Sequence, residues 1–145
     1  MKIDAMLSSE NMTWETPQDL FNELNREFKF TLDPCATKET AKCKKFYTKE
    51  DDGLSKDWGG NQVFVNPPYG REIGKWVKKA YEESIREDVF TQVVMLIPAR
   101  TDTRYFHDYI YGKTRIRFIK GRLKFKMGGV QSQSAPFPSM MVIFN

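Results

Sequence analysis

Val63-Phe64-Val65 is a run of β-branched and aromatic side chains that halts at a polar amide and two successive prolines, Asn66-Pro67-Pro68, followed by Tyr69. Side chains of the first kind fill buried strands, and two prolines cannot extend a ladder, so a strand stops at Val65 and a rigid turn begins. In an open α/β sheet the carboxyl ends of the strands border the crevice where ligands bind. The sequence therefore places Asn66 and Tyr69 at a binding edge. The plainer reading is a proline-terminated strand in which Asn66 closes an Asx-turn and Tyr69 packs on the core.

Asn66, Pro67, Pro68 and Tyr69 suit methylation of an exocyclic amine on a nucleobase. Such an amine is a poor nucleophile, because its lone pair is delocalised into the ring. The Asn66 side-chain oxygen and the Pro67 backbone carbonyl can each accept one amine hydrogen, which frees the lone pair. The two prolines hold that carbonyl in place. Tyr69 offers a flat face on which an extruded base can stack, worth about 1–3 kcal/mol.

Together with Trp14-Glu15-Thr16-Pro17, Leu32-Asp33-Pro34-Cys35-Ala36, Gly53-Leu54, Asp57-Trp58 and Ile119-Lys120-Gly121-Arg122-Leu123-Lys124-Phe125, the tetrapeptide resembles the phage-type DNA N-6-adenine methyltransferase (Dam) family. The resemblance runs from about Trp14 to Phe144. It implies S-adenosylmethionine as methyl donor, S-adenosylhomocysteine as product, no metal, and adenine in DNA as the acceptor. It also implies that Trp14, Thr16 and Pro17 lie beside the donor. One departure stands out: Ala36-Thr37-Lys38-Glu39 occupies the place of a glycine-rich loop.

The chain has 145 residues, enough for one core but not for a separate recognition domain, so residues 13–145 are read as a single catalytic domain behind a flexible lead-in at 1–12. A formal charge of +4 points to a polyanionic partner, which the resemblance implies is DNA. Two cysteines and one histidine provide neither a disulfide framework nor a zinc set. Val93 to Ile97 is too short to span a bilayer and no export signal precedes it, so no membrane partner is expected. The expected location is cytoplasmic, in the host cell if the gene is carried by a phage.

Along the chain, Thr16 and Pro17 read as the cap and first residue of a helix with Leu20, Phe21, Leu24 and Phe28 on one face. Phe28 to Leu32 alternates as a first strand and ends at Asp33-Pro34, where the Asp33 carboxylate can take the donor's ammonium or a ribose hydroxyl. Cys35 and Ala36 are small enough for a ligand to approach closely. Phe46 to Thr48 reads as a short strand, and Asp51 or Asp52 after it can hold the donor's ribose or adenine amine. Ile73, Trp76, Val77, Ala80 and Tyr81 form the apolar face of a second helix, and Phe90 to Ile97 is a continuous buried strand.

Thr103 to Tyr111 reads as a short helix. Candidate phosphate contacts are Arg71 at the start of the second helix, Arg100 past the buried strand, and the alternating Arg115, Arg117, Arg122 and Lys124 of two half-buried basic strands. Residues 128–138 read as a flexible loop before a closing strand, Met140 to Phe144.

The order of elements gives a doubly wound α/β sheet with helices on both faces and an antiparallel C-terminal end, a reduced class I (Rossmann-like) methyltransferase sheet by resemblance. Two alternatives remain at this level: an amino-methyltransferase acting on RNA or protein, and a nucleic-acid-binding domain that keeps the scaffold without the activity.

Overall fold

The computed structural model describes residues 14–127, 130–131 and 134–145. The expected lead-in at 1–12 and part of the loop at 128–138 lie outside the described residues. Helix α1 (Gln18–Phe28) is followed by strands β1 (Leu32–Asp33), β2 (Lys45–Phe46) and β3 (Gln62–Val65). Helix α2 (Ile73–Ser84), β4 (Gln92–Pro98), β5 (Arg115–Phe118), the small strands β6 (Lys126–Met127) and β7 (Val130–Gln131), and β8 (Ser139–Phe144) complete the order.

Six strands form one sheet in the order β2-β1-β3-β4-β8-β5. The pairs from β2 to β4 are parallel, and β8 runs antiparallel to both β4 and β5. The sheet is thus mixed α/β with an antiparallel C-terminal end, as its sequence order implies. All six residues of β8 are buried, which is why Met140 to Phe144 contains no alternation: a strand inserted between two others and covered on both faces has no polar side. Each such apolar side chain removed from water contributes about 1.5–3 kcal/mol before entropy is counted.

Several boundaries differ from the periodicity. The α1 helix runs through Phe28 and ends at Lys29, in the left-handed region at φ 52°. Asn25 enforces that stop, since its carbonyl accepts the Lys29 N–H at 2.9 Å and its side chain accepts the Phe30 N–H at 2.8 Å. The expected first strand therefore shrinks to Leu32–Asp33, and Phe30 packs against Phe21, Phe28 and Phe64 instead of pairing. Phe90, expected in the buried strand, is 67% exposed, and β4 starts at Gln92. The helix expected over Thr103 to Tyr111 is a π-helical turn at Phe106–Ile110.

The basic strands depart further. In β5 the alternation does not bury one face: Ile116 is half-buried and Phe118 is 64% exposed, because β5 is the sheet's edge. Residues 122–125 form no strand; Gly121 at φ 77° turns the chain, and Phe125 drops into the interior. The strand resumes only at β6, which pairs with β7 and meets Glu15 through a two-bond bridge to Lys126.

The loop entering β3 is locked onto α2. Trp58 is fully buried, donates its indole N–H to the Gly53 carbonyl at 2.9 Å and stacks on Trp76. The Glu83 carboxylate accepts the Trp58 backbone N–H and pairs with Lys79 and Arg86, while Arg86 also grips Asp57 and Asp88. This anchoring fixes the loop from which β3 starts.

Candidate active site

A cavity of about 700 Å³ opens at the carboxyl ends of β1 and β3. Its volume lies in the range of small-molecule sites. Asn66, Pro67 and Pro68 form one wall and Asp33, Cys35 and Ala36 another. The N-terminal segment Trp14 to Thr16 also lines it, as do Asp52, Gly53 and Trp76. The turn after β3 and the carboxylate after β1, 33 residues apart in sequence, thus face one space, because parallel neighbours bring their ends to the same edge.

Asn66 is held by its amide nitrogen, which donates to the Trp14 backbone carbonyl and to the Thr16 hydroxyl oxygen at 3.1 Å. A backbone carbonyl can only accept, so the group facing it must be the NH₂, and the amide orientation follows. The Asn66 oxygen is then left shielded from solvent with no hydrogen-bond partner among the described residues. An orphaned buried acceptor costs about 1–3 kcal/mol, and a donor arriving from a ligand relieves it. Thr16, expected to cap α1, does not: Pro17 stands at the cap, with no side-chain cap bond, and the Thr16 hydroxyl serves Asn66 instead. Pro17 does not line the cavity.

Asp33 is 4% exposed. Its carboxylate accepts the backbone N–H groups of Cys35 at 3.3 Å and Lys42 at 3.0 Å, and it has no ion pair among the described residues. The Lys42 ammonium turns away to Gln18 at 2.7 Å. Burial pushes the Asp33 carboxyl up to about 6, against the pull of those two N–H groups. The Lys42 charge adds a smaller pull in the same direction, and Lys42 and Lys49 both line the cavity. Burial, and the Asp33 charge after it, raise both the Cys35 and Cys43 thiols to about 12, so neither is a thiolate nucleophile at neutral pH.

Of the two candidate aspartates in the acidic run after β2, Asp52 lines the cavity and Asp51 does not. The Asp51 carboxylate closes a turn by accepting the Thr48 N–H at 2.9 Å and hydroxyl at 3.0 Å. Gly53 has a role the sequence does not announce: a Cβ there would lie 2.0 Å from the Pro34 carbonyl oxygen. Only glycine lets this turn press against Asp33-Pro34 and shape the cavity wall. Trp76, at helical spacing among core residues, lines the cavity as well. The Lys42 N–H on Asp33 is a contact across nine residues that no motif signals.

Tyr69 is 4% exposed and donates its hydroxyl to the Leu96 carbonyl at 3.1 Å. Burial raises its pKa far above the usual phenol range. Phe125 and Phe137 pack edge-on to its ring at 6.3 and 5.6 Å, and Trp14 meets the same two phenylalanines. The phosphate candidates scatter. Arg71 and Arg100 are exposed and line a smaller neighbouring cavity that also touches Tyr69. Arg117 forms a bidentate pair with Glu27 at 2.8 and 2.5 Å and lies over the Phe28 ring. Arg122 donates to the Ala135 carbonyl at 3.3 Å, while Arg115 and Lys124 are exposed.

Among the described residues no three His, Cys, Asp or Glu side chains cluster to hold a metal ion, and no helix is long and apolar enough to cross a membrane. The sequence profile of the DNA N-6-adenine-methyltransferase (Dam) family matches residues 5–145. A protein of Haemophilus phage HP1 (strain HP1c1) described as a DNA N-6-adenine-methyltransferase is 30% identical over 141 residues, 94% of this chain and 80% of its own length. One of Escherichia phage T1 with the same description is 35% identical over 112 residues, 76% of this chain but only 45% of its own length.

Proposed function

This chain belongs to the DNA N-6-adenine-methyltransferase (Dam) family, and from that premise we propose that it transfers a methyl group from S-adenosylmethionine to the N6 amine of adenine in DNA, with Asn66-Pro67-Pro68-Tyr69 as the catalytic turn. The observation that carries the reading is the Asn66 oxygen, buried, without a hydrogen-bond partner among the described residues, and fixed through its own amide nitrogen at the wall of the larger cavity.

When bound, S-adenosylmethionine supplies an electrophilic sulfonium methyl group. The residues present fit it. Asp33, buried and in no ion pair among the described residues, takes its ammonium, and Asp52, on the cavity wall, can hold a ribose or adenine amine. Trp14, Cys35, Ala36 and the glycine-tightened turn at Gly53 enclose it. The Asn66 oxygen and the Pro67 carbonyl accept the two hydrogens of the target amine and draw its nitrogen toward tetrahedral geometry. The target adenine leaves the duplex at a cost of a few kcal/mol, and a base reaching Tyr69 shares that ring with Phe125 and Phe137. The reaction is assigned to the cytoplasm of the cell that holds the DNA.

The test is tritiated methyl transfer offered to unmethylated DNA, RNA and protein side by side, with digestion of the product to nucleosides. Label recovered as N6-methyladenine from DNA supports the reading, and label absent from DNA overturns it. Asn66→Ala is expected to retain donor affinity within about threefold while losing about 10²–10³ in kcat, the size of a lost oxyanion-type contact.

A further inference from the structure

The turn after β3 borders two cavities. Asn66, Pro67 and Pro68 line the larger; Tyr69, Gly70 and Arg71 line a second of about 390 Å³. The opposite wall of the second comes from the chain just past β4, with Arg100, Thr103 and Tyr105. Gly70 at φ 106° lets the chain fold back from Tyr69 so that Arg71 reaches this space. Among the described residues no carboxylate lines it; Asp102, which acts electrostatically on Tyr105, stands outside.

The Tyr105 hydroxyl is shielded from solvent and makes no hydrogen bond among the described residues. Thr103 lies beside it, but the Thr103 hydroxyl donates to the Arg100 carbonyl at 2.8 Å and accepts the Phe106 N–H at 3.3 Å. Two guanidinium groups and a spare hydroxyl donor around one small space are complementary to a tetrahedral anion. Arg100 and Arg71 follow the ends of adjacent parallel strands, so both stand at the edge from which a base would enter.

We infer that this second cavity seats a backbone phosphate of the DNA strand that carries the extruded adenine, clamped by Arg71 and Arg100 with the Tyr105 hydroxyl as a third donor. The inference rests on the methyltransferase reading above and extends it to a phosphate site beside the catalytic turn. The contact positions the strand and reads no sequence.

The experiment compares the full-length protein with Arg71→Gln, Arg100→Gln and Tyr105→Phe. Lys113→Gln serves as control, an exposed cation just ahead of β5 and so at the opposite edge of the parallel strands. KM for unmethylated duplex DNA is measured over a range of salt concentrations, and donor affinity by calorimetry. Each arginine variant should raise KM for DNA about 5–20-fold at low salt and make its logarithmic salt dependence shallower by about one ion. Tyr105→Phe should raise KM about 2–5-fold with the salt slope unchanged, since it removes a neutral donor. Donor affinity and kcat at saturating DNA should stay within about twofold throughout. Arginine variants whose KM and slope match those of Lys113→Gln would overturn the clamp while leaving the enzyme reading intact. A wild-type protein that methylates no DNA would overturn both.

Discussion

The side-chain nitrogen of Asn66 donates to the hydroxyl oxygen of Thr16 at 3.1 Å, linking the turn after β3 to a residue 50 positions earlier. This bond and the one to the Trp14 carbonyl turn the amide so that its oxygen, not its nitrogen, is left without a partner among the described residues. The proposed catalytic amide is thus oriented by backbone and hydroxyl from a segment that also lines the larger cavity.

Replacing Thr16 by valine keeps the shape and deletes one acceptor of that amide. Leaving a buried N–H half-satisfied costs about 1–2 kcal/mol, so kcat should fall about 5–30-fold, with donor affinity nearly unchanged. Thr16→Ser should restore most of the rate. Steady-state kinetics at saturating donor give the answer, and equal losses in the valine and serine variants would contradict an orienting role.

Asn66→Asp places an ionised oxygen against the Trp14 carbonyl, acceptor facing acceptor. Only the protonated carboxyl can donate there while leaving its other oxygen for substrate. Activity should drop about 10–100-fold at pH 8 and recover partly as pH falls toward 6, opposite in direction to the wild-type profile. A pH-rate curve parallel to wild type would refute this geometry.

Donor binding should depend on the ionisation of Asp33. Its carboxyl is raised to about 6, so it is charged above that pH and largely neutral below. Calorimetric affinity for S-adenosylmethionine should therefore weaken about tenfold from pH 8 to pH 5. Stability of the ligand-free protein has the opposite sign. The folded state holds the Asp33 proton more tightly than the unfolded chain does. That stabilisation is fully present below the ordinary carboxylate pKa and is lost as pH rises through about 6. Asp33→Asn should flatten both curves.

Gly53→Ala forces a Cβ to within 2.0 Å of the Pro34 carbonyl oxygen, a backbone atom that cannot swing aside. Urea unfolding should show a loss of about 1–3 kcal/mol, accompanied by weaker donor binding as the Asp33-Pro34 wall is displaced. Unchanged stability would contradict this close approach of the 3₁₀ turn at Gly53–Ser55 to Pro34.

Much of this was readable from local chemistry. Proline after a β-branched run terminates β3, Asp33-Pro34 terminates β1, and the apolar stripe from Ile73 to Tyr81 makes α2, because each effect acts within a few residues of chain. The order of those elements was enough for a parallel sheet with an antiparallel end. What the sequence could not decide was which neighbour takes each polar group. Thr16 is by type a helix cap, yet tertiary folding brings Asn66 to its hydroxyl; Arg117 is by pattern a basic stripe, yet α1 delivers Glu27 to it. Tyr69, a flat ring in the sequence, is met by Phe125, from a segment whose alternation suggested a strand, and by Phe137, from one read as a flexible loop. Periodicity records burial along one element, whereas hydrogen-bond partners and ring contacts are chosen between elements, and only the packed chain fixes those distances.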